Sequence, residues 1–158
     1  MSIKKVIQLA VCVLIPLAVG FIGSLATNPS IPSWYAGLEK PSFSPPNWIF
    51  APVWTLLFIL MGIALFLVWS KRKQNRGATL AIVFFSIQMV LNLLWSILFF
   101  TLHRPDLALV EIIILWLFIA STIYYFALVD RRAAWLLAPY LAWVSFASIL
   151  NGAIFLLN

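Results

Sequence analysis

Five apolar stretches follow one another along this chain, from about residue 6 to 26, 48 to 69, 77 to 100, 107 to 129 and 133 to 157. About 20 helical residues cross the roughly 30 Å of hydrocarbon in a bilayer, so each stretch is long enough to span one. Inside hydrocarbon the backbone must satisfy its own hydrogen bonds, which leaves helices or closed barrels. Continuous apolar runs punctuated by Gly and Pro fit helices, whereas barrel strands would alternate. The fold class read from the sequence is therefore an all-α integral membrane protein, a five-transmembrane-helix bundle forming a single domain over residues 1–158. Composition agrees: 65% of residues are hydrophobic and 9% charged, against roughly 45–50% and about 25% in a soluble domain. The first stretch follows Lys4 and Lys5 as a secretory signal would, but its apolar part runs on to Ala26, longer than the usual signal core, and reads as a retained helix.

The charges supply a topology. Lys4, Lys5, Lys71, Arg72, Lys73, Arg76, Arg131 and Arg132 fall on one side of the five spans, and only Lys40 and Arg104 on the other. The positive-inside rule then places the N-terminus in the cytoplasm and the C-terminus outside it. Because the Lys and Arg residues occupy short polar breaks and build no basic face, the net charge of +6 does not indicate nucleic acid as a partner. Cys12 is the one cysteine, so no internal disulfide or CxxC metal or redox site can form. The connections after the second, third and fourth spans are short and predict antiparallel neighbours.

The connection over residues 27–46 is longer and too apolar for a plain linker. Pro32, Pro41, Pro45 and Pro46 interrupt regular helix, while Trp34, Tyr35, Leu38 and Phe43 offer surface to pack on the bundle mouth. It reads as an ordered lid between the first two helices, on the extracytoplasmic side.

Eight tryptophans divide by depth. Trp34, Trp48, Trp69 and Trp135 sit in the lid or near span ends, where an amphipathic indole anchors at the membrane interface. Trp54, Trp95, Trp116 and Trp143 lie deeper, where the ring needs a partner for its N–H or a cavity beside it. Each alone reads equally as helix packing. On the third span, however, Gln88, Asn92, Trp95 and Phe99 share one helical face, and on the fifth Trp143, Ala147 and Asn151 do the same. Singly, Gln88, Asn92 and Asn151 read as interhelical hydrogen-bonding groups. Together with the deep rings and the aromatic lid they describe a mostly apolar cavity with a few directional polar groups, the usual makeup of a ligand site, suited to a flat hydrophobic ligand.

Other candidates carry less. Glu111, a turn into the fourth span, reads as reaching the interface or lining the cavity mouth, with Asp106 before it as a helix N-cap. Gly20, Gly23, Ser24 and Ala26 permit either close helix approach or ligand space. His103 stands alone in its loop, so no metal site or haem-ligating pair is proposed, and no resident cofactor. A Ser-His-Asp triad at depth and rows of intramembrane charges are absent, which sets aside ordinary hydrolysis and ion-driven pumping.

The run Trp34-Tyr35-Ala36-Gly37-Leu38-Glu39-Lys40-Pro41-Ser42-Phe43, followed by Pro45-Pro46-Asn47-Trp48 and Pro52-Val53-Trp54, resembles the WYAGLxKPSWxPPxWxxxPVW signature of the translocator proteins, also called tryptophan-rich sensory proteins. Gln88, Asn92, Trp95 and Phe99-Phe100 in the third span, and Pro139-Tyr140-Leu141-Ala142-Trp143 with Phe146-Ala147 and Leu150-Asn151 in the fifth, are similar to further family motifs. The resemblance covers nearly the whole chain and suggests a bacterial member in the inner membrane.

That resemblance implies a five-helix bundle, usually a homodimer, whose cavity binds protoporphyrin IX or related tetrapyrroles and synthetic ligands of the benzodiazepine-receptor type. Carried over by motif position, the ligand-binding residues are Trp34, Tyr35, Trp54, Gln88, Asn92, Trp95, Trp143, Ala147 and Asn151. The function implied is a membrane receptor or sensor of porphyrins. One alternative is light- and oxygen-dependent degradation of protoporphyrin IX with Trp54 and Trp143 as catalytic residues; a second is porphyrin or sterol transport. Two departures stand out. The signature Trp is Phe43 here, and after Leu150-Asn151 the chain has neither the aromatic nor the basic residue of the animal sterol motif, which argues against high-affinity cholesterol binding.

Overall fold

The computed structural model describes residues 2–158; Met1, the first residue of the expected 1–158 domain, lies outside the described residues. Five helices account for most of them: α1 (Ile3–Thr27), α2 (Phe50–Ser70), α3 (Gly77–Ser96), α4 (Pro105–Val129) and α5 (Arg131–Leu157). All five are long and apolar enough to cross a membrane. No strand occurs among the described residues.

Several helix ends differ from the hydropathy limits for local reasons. α1 starts at Ile3 because Lys4 and Lys5 are good helix formers and an exposed first turn tolerates charge. α4 begins with Pro105 at its first position, where the missing N–H would be unpaired in any case. Asp106 is thereby inside the first turn and is not the N-cap expected of it; that position belongs to Arg104, whose side chain pairs with the Asp106 carboxylate. α5 is capped by Asp130, which accepts from the Arg132 backbone N–H at 2.9 Å. α3 does not end at Ser96 but continues through one π-helical turn, Ile97–Thr101.

Around the bundle the order is α1, α2, α5, α4, α3, closing on α1. The antiparallel pairing expected across the short connections therefore holds for α3–α4 and α4–α5, and α1 and α2 pair as well across their longer one. It fails for α2 and α3: α2 packs on α1 and α5 and meets α3 only lightly. The six residues between Ser70 and Gly77 are reach enough to skip the neighbouring place.

Small residues set the closest contacts, as in membrane bundles generally. A Cβ added at Gly62 of α2 would strike the Val13 Cα and lie 2.8 Å from the Cys12 carbonyl oxygen of α1. Ala64, Ala78, Ala81 and Ala133 are fully buried and pack with Met61, Val68, Phe85 and Phe126 in one continuous core. That core fills the half of the bundle bearing Lys71 and Asp130. The other half is looser, and the residue 28–49 connection lies across it.

This connection, the segment expected to form a lid, contains three short 3₁₀ turns, at Asn28–Ser30, Tyr35–Gly37 and Asn47–Ile49. Ser30 Oγ donates to the Phe100 carbonyl (2.5 Å), and Asn158 of α5's C-cap holds both the N–H and the C=O of Glu39 at 3.0 Å. The chain ends thus lie at opposite ends of the bundle, Lys5 beside Lys71 and Asn158 beside Glu39.

Candidate functional site

Where the core stops, a cavity of about 430 Å³ opens between α1, α2, α3, α5 and the connection. α4 contributes nothing to its lining. Each wall comes from the half of a helix remote from Lys71: Leu17 to Thr27 of α1, Phe50 to Phe58 of α2, Asn92 to Phe100 of α3 and its π turn, and Trp143 to Ile154 of α5.

Two sequence features make the space. On α1, Gly20, Gly23 and Ser24 border the cavity while Ala26 does not, and Gly20 and Gly23 also sit close to α2 and α3, so both readings left open for these residues hold. Gly20 also gives space to the Phe58 ring, which a Cβ there would strike. Across from them, α3 and α5 are joined by long side chains and not by close backbones. Trp95 Nε1 donates to Asn151 Oδ1 (3.0 Å), and Asn151 Nδ2 donates to the Pro105 carbonyl (2.9 Å) at the start of α4. Tyr140 Oη donates to Gln88 Oε1 (2.9 Å) and accepts from Asn92 Nδ2 (3.1 Å).

The amides therefore tie helices together, and the rings they hold form the walls. Trp95 stacks on Phe99 at 5.2 Å, Trp54 stacks on Phe58 at 5.5 Å and meets Tyr140 edge-on at 6.1 Å, and Trp143 meets Phe50 edge-on at 5.8 Å. The π turn carries Phe99 and Phe100 to the same end of the cavity. Such turns recur at functional sites because they re-aim side chains without ending the helix.

Of the residues singled out from the sequence, Tyr35, Trp54, Asn92, Trp95, Trp143, Ala147 and Asn151 all line the cavity. Two do not. Gln88 is buried one turn below Asn92, behind Tyr140, and its amide nitrogen finds no acceptor. Trp34 turns away and stacks on His103, ring centroids 4.3 Å apart, with its edge toward Phe99. Trp116, grouped with the deep pocket tryptophans, also points elsewhere: its N–H donates to Ser145 Oγ at 2.8 Å, joining α4 to α5. Trp143 Nε1, by contrast, is buried without a partner.

Other residues gain roles that the sequence did not assign. Tyr140 is the hub of the α3–α5 tie; it precedes Trp143 by three positions, so extending the Trp143–Ala147–Asn151 stripe one turn back would have found it. His103 is not alone: besides stacking on Trp34 it lies 3.3 Å from Ser30 Oγ, with its backbone in the left-handed region at φ 52°. Glu111 neither reaches the interface nor borders the cavity. It is 5% exposed, because it shares the inward face of α4 with Ala108, Ile112 and Leu115, and neither carboxyl oxygen has a partner. Of the tryptophans expected near span ends, Trp48 and Trp135 are largely exposed at opposite ends of the bundle, and Trp69 lies under Arg72 at 4.2 Å. Among the described residues no group of His, Cys, Asp and Glu gathers that could hold a metal ion.

Fold and site together define an integral membrane protein with an aromatic cavity in one half of a five-helix bundle. The family model described as TspO/MBR matches residues 12–157, and the chain belongs to that family. It is 50% identical to the tryptophan-rich protein TspO of Chlorobaculum tepidum over 98% of both chains. The tryptophan-rich protein TspO of Archaeoglobus fulgidus is 48% identical, over 98% of this chain and 99% of that one. A more distant relative, the translocator protein of Bos taurus, is 36% identical over 87% and 82%. Family and helices alike make this a multi-pass membrane protein.

Proposed function

We propose that this chain is a membrane receptor or sensor that binds porphyrins, protoporphyrin IX foremost, and related flat hydrophobic molecules in the cavity between α1, α2, α3 and α5. The observation that carries this reading is the lining itself. About 430 Å³ is lined by nine aromatic side chains, among them Trp54, Trp95 and Trp143, within the range of small-molecule sites, and the two amides at its wall, Asn92 and Asn151, are already engaged with the Tyr140 and Trp95 rings. Such a site favours a large conjugated ligand, recognised by ring stacking and apolar contact. Synthetic ligands of the benzodiazepine-receptor type have the same character and belong to the same proposal.

The connection over residues 28–49 serves as the lid. Tyr35 borders the cavity from it, and Ser30, Trp34 and Glu39 fasten it to the end of α3 and to Asn158. With eight of the ten basic residues at the other end, the N-terminus is cytoplasmic, and the lid and C-terminus are extracytoplasmic, in a bacterial inner membrane. The working unit is a homodimer.

A second reading has one observation in its favour. Trp54 and Trp143 both border the cavity, and the Trp143 N–H has no partner. In light- and oxygen-dependent degradation of protoporphyrin IX, the excited pigment would supply the chemistry, oxygen the oxidant, and these two indoles the nearby electron donors. One experiment separates the readings: titrate protoporphyrin IX into the detergent-purified protein in the dark, following tryptophan fluorescence, then illuminate and follow pigment absorbance. Saturable quenching without protein-dependent pigment loss supports the receptor. Pigment loss that disappears in a Trp54→Phe/Trp143→Phe double variant that still binds supports degradation. Absence of saturable quenching overturns both.

A further inference from the structure

At the end of the bundle remote from the cavity lies a second hollow, of about 240 Å³, bordered by Lys5 of α1, Phe66, Leu67 and Lys71 of α2, and Asp130 and Arg132 at the α4–α5 junction. Its charges do not balance. The Asp130 side chain, only 4% exposed, accepts from Lys71 Nζ at 3.0 Å and from Arg132 Nη2 at 3.1 Å and Nε at 3.2 Å. One carboxylate thus fixes two cationic heads on the rim, while Lys5 has no acidic partner among the described residues. A guanidinium has five N–H groups, and only two of those on Arg132 are turned to Asp130.

Beneath this cationic rim the wall is apolar. Phe66 and Leu67 are half-buried at the last turn of α2, where the helix leaves hydrocarbon for water. We propose that the hollow is a binding site for an anionic phospholipid of the leaflet at this end, its headgroup phosphate held by Lys5, Lys71 and Arg132 and an acyl chain laid along Phe66 and Leu67. Charge complementarity selects an anion, since two positive charges remain after Asp130 is satisfied. The apolar wall selects an anion with a hydrocarbon tail over a soluble one, and basic pockets between spans at a membrane surface suit such headgroups. Asp130 is a positioning residue here: it repels the phosphate but holds Lys71 and Arg132 in place for it.

The test is thermal unfolding of the delipidated protein in detergent, titrated separately with phosphatidylglycerol, phosphatidylcholine and glycerol 3-phosphate. Phosphatidylglycerol should raise the unfolding temperature saturably, with neither of the others matching it. Lys5→Gln, which leaves the Asp130 pairs intact, should weaken the phosphatidylglycerol effect about tenfold in concentration, and Lys5→Arg should restore it. Equal stabilisation by phosphatidylcholine would overturn the proposal, as would an unchanged response in Lys5→Gln. Equal stabilisation by glycerol 3-phosphate would also overturn it, reducing the hollow to a site for any soluble anion.

Discussion

Asn151 makes two hydrogen bonds at once, accepting from Trp95 and donating to the Pro105 carbonyl. Interhelical bonds of this kind average about 0.6 kcal/mol in membranes, but truncation also leaves an indole N–H and a carbonyl unpaired. Asn151→Ala should therefore cost about 1–3 kcal/mol, read as a lowered unfolding temperature in detergent, and should weaken cavity binding by freeing the Trp95 ring. Asp130 gives a pH dependence. The Arg132 hydrogen bonds, supported by Lys71, hold its carboxyl well below the usual carboxylate range against the opposing effect of burial. A depressed folded-state value contributes stability that is present above the unfolded value, about 3.9, and lost as pH falls toward the folded one. Wild type should thus be more stable than Asp130→Asn at pH 7, and the difference should shrink as pH falls below about 4. At this scale the sequence marked residue types better than their partners. It distinguished an amide from a ring, but whether Trp116 faces a cavity or Ser145 depends on helix rotation, which a twofold choice of depth does not encode. Glu111 shows the same gap: its distance from the span end suggested the interface, while its register with Ala108, Ile112 and Leu115 turned it inward.

Among the elements, α1 and α2 bring their backbones close together at Gly62, and the missing side chain permits it. Gly62→Ala places a methyl group against the Val13 backbone, so the two helices must separate, at a cost of about 1–3 kcal/mol for such overpacking. Gly152→Ala is the internal control: the nearest atom to an added Cβ is the Leu109 Cδ1 at 3.7 Å, ordinary contact, and with the helix preference for Ala over Gly its unfolding temperature should be no lower than wild type's. The five spans were legible from hydropathy because membrane length imposes a single scale on every helix. Their order around the bundle was not. Short connections predict neighbours, and the α2–α3 exception arises because α5 occupies the place beside α2, with Trp54 against Tyr140. The π turn after Ser96 was equally hidden, since Ile97-Leu98-Phe99-Phe100-Thr101 carries no Gly or Pro to announce it.

The whole molecule divides into a packed half and an open half. Small residues close the helices together near Lys71 and Asp130, whereas polar side chains hold α3 and α5 apart around the cavity. The α3 and α5 walls of the cavity were legible because helical periodicity gathers Asn92 with Trp95, and Trp143 with Ala147 and Asn151, on single faces; Phe21, Phe50 and Phe58 of the α1 and α2 walls were not. Trp34 was less so, since its direction depends on a loop and on stacking against His103. If the open half is the ligand site, filling it must abolish binding without disturbing the packed half. Ala147 lines the cavity and is half-buried, so Ala147→Trp adds a large ring where ligand should sit. The decisive measurement is the dissociation constant for protoporphyrin IX in the dark, in wild type and in Ala147→Trp, with unfolding temperatures compared alongside. Saturable binding to wild type that weakens at least tenfold in a variant of unchanged stability is the predicted result; equal affinity in the two proteins would place the ligand outside this cavity and contradict the account.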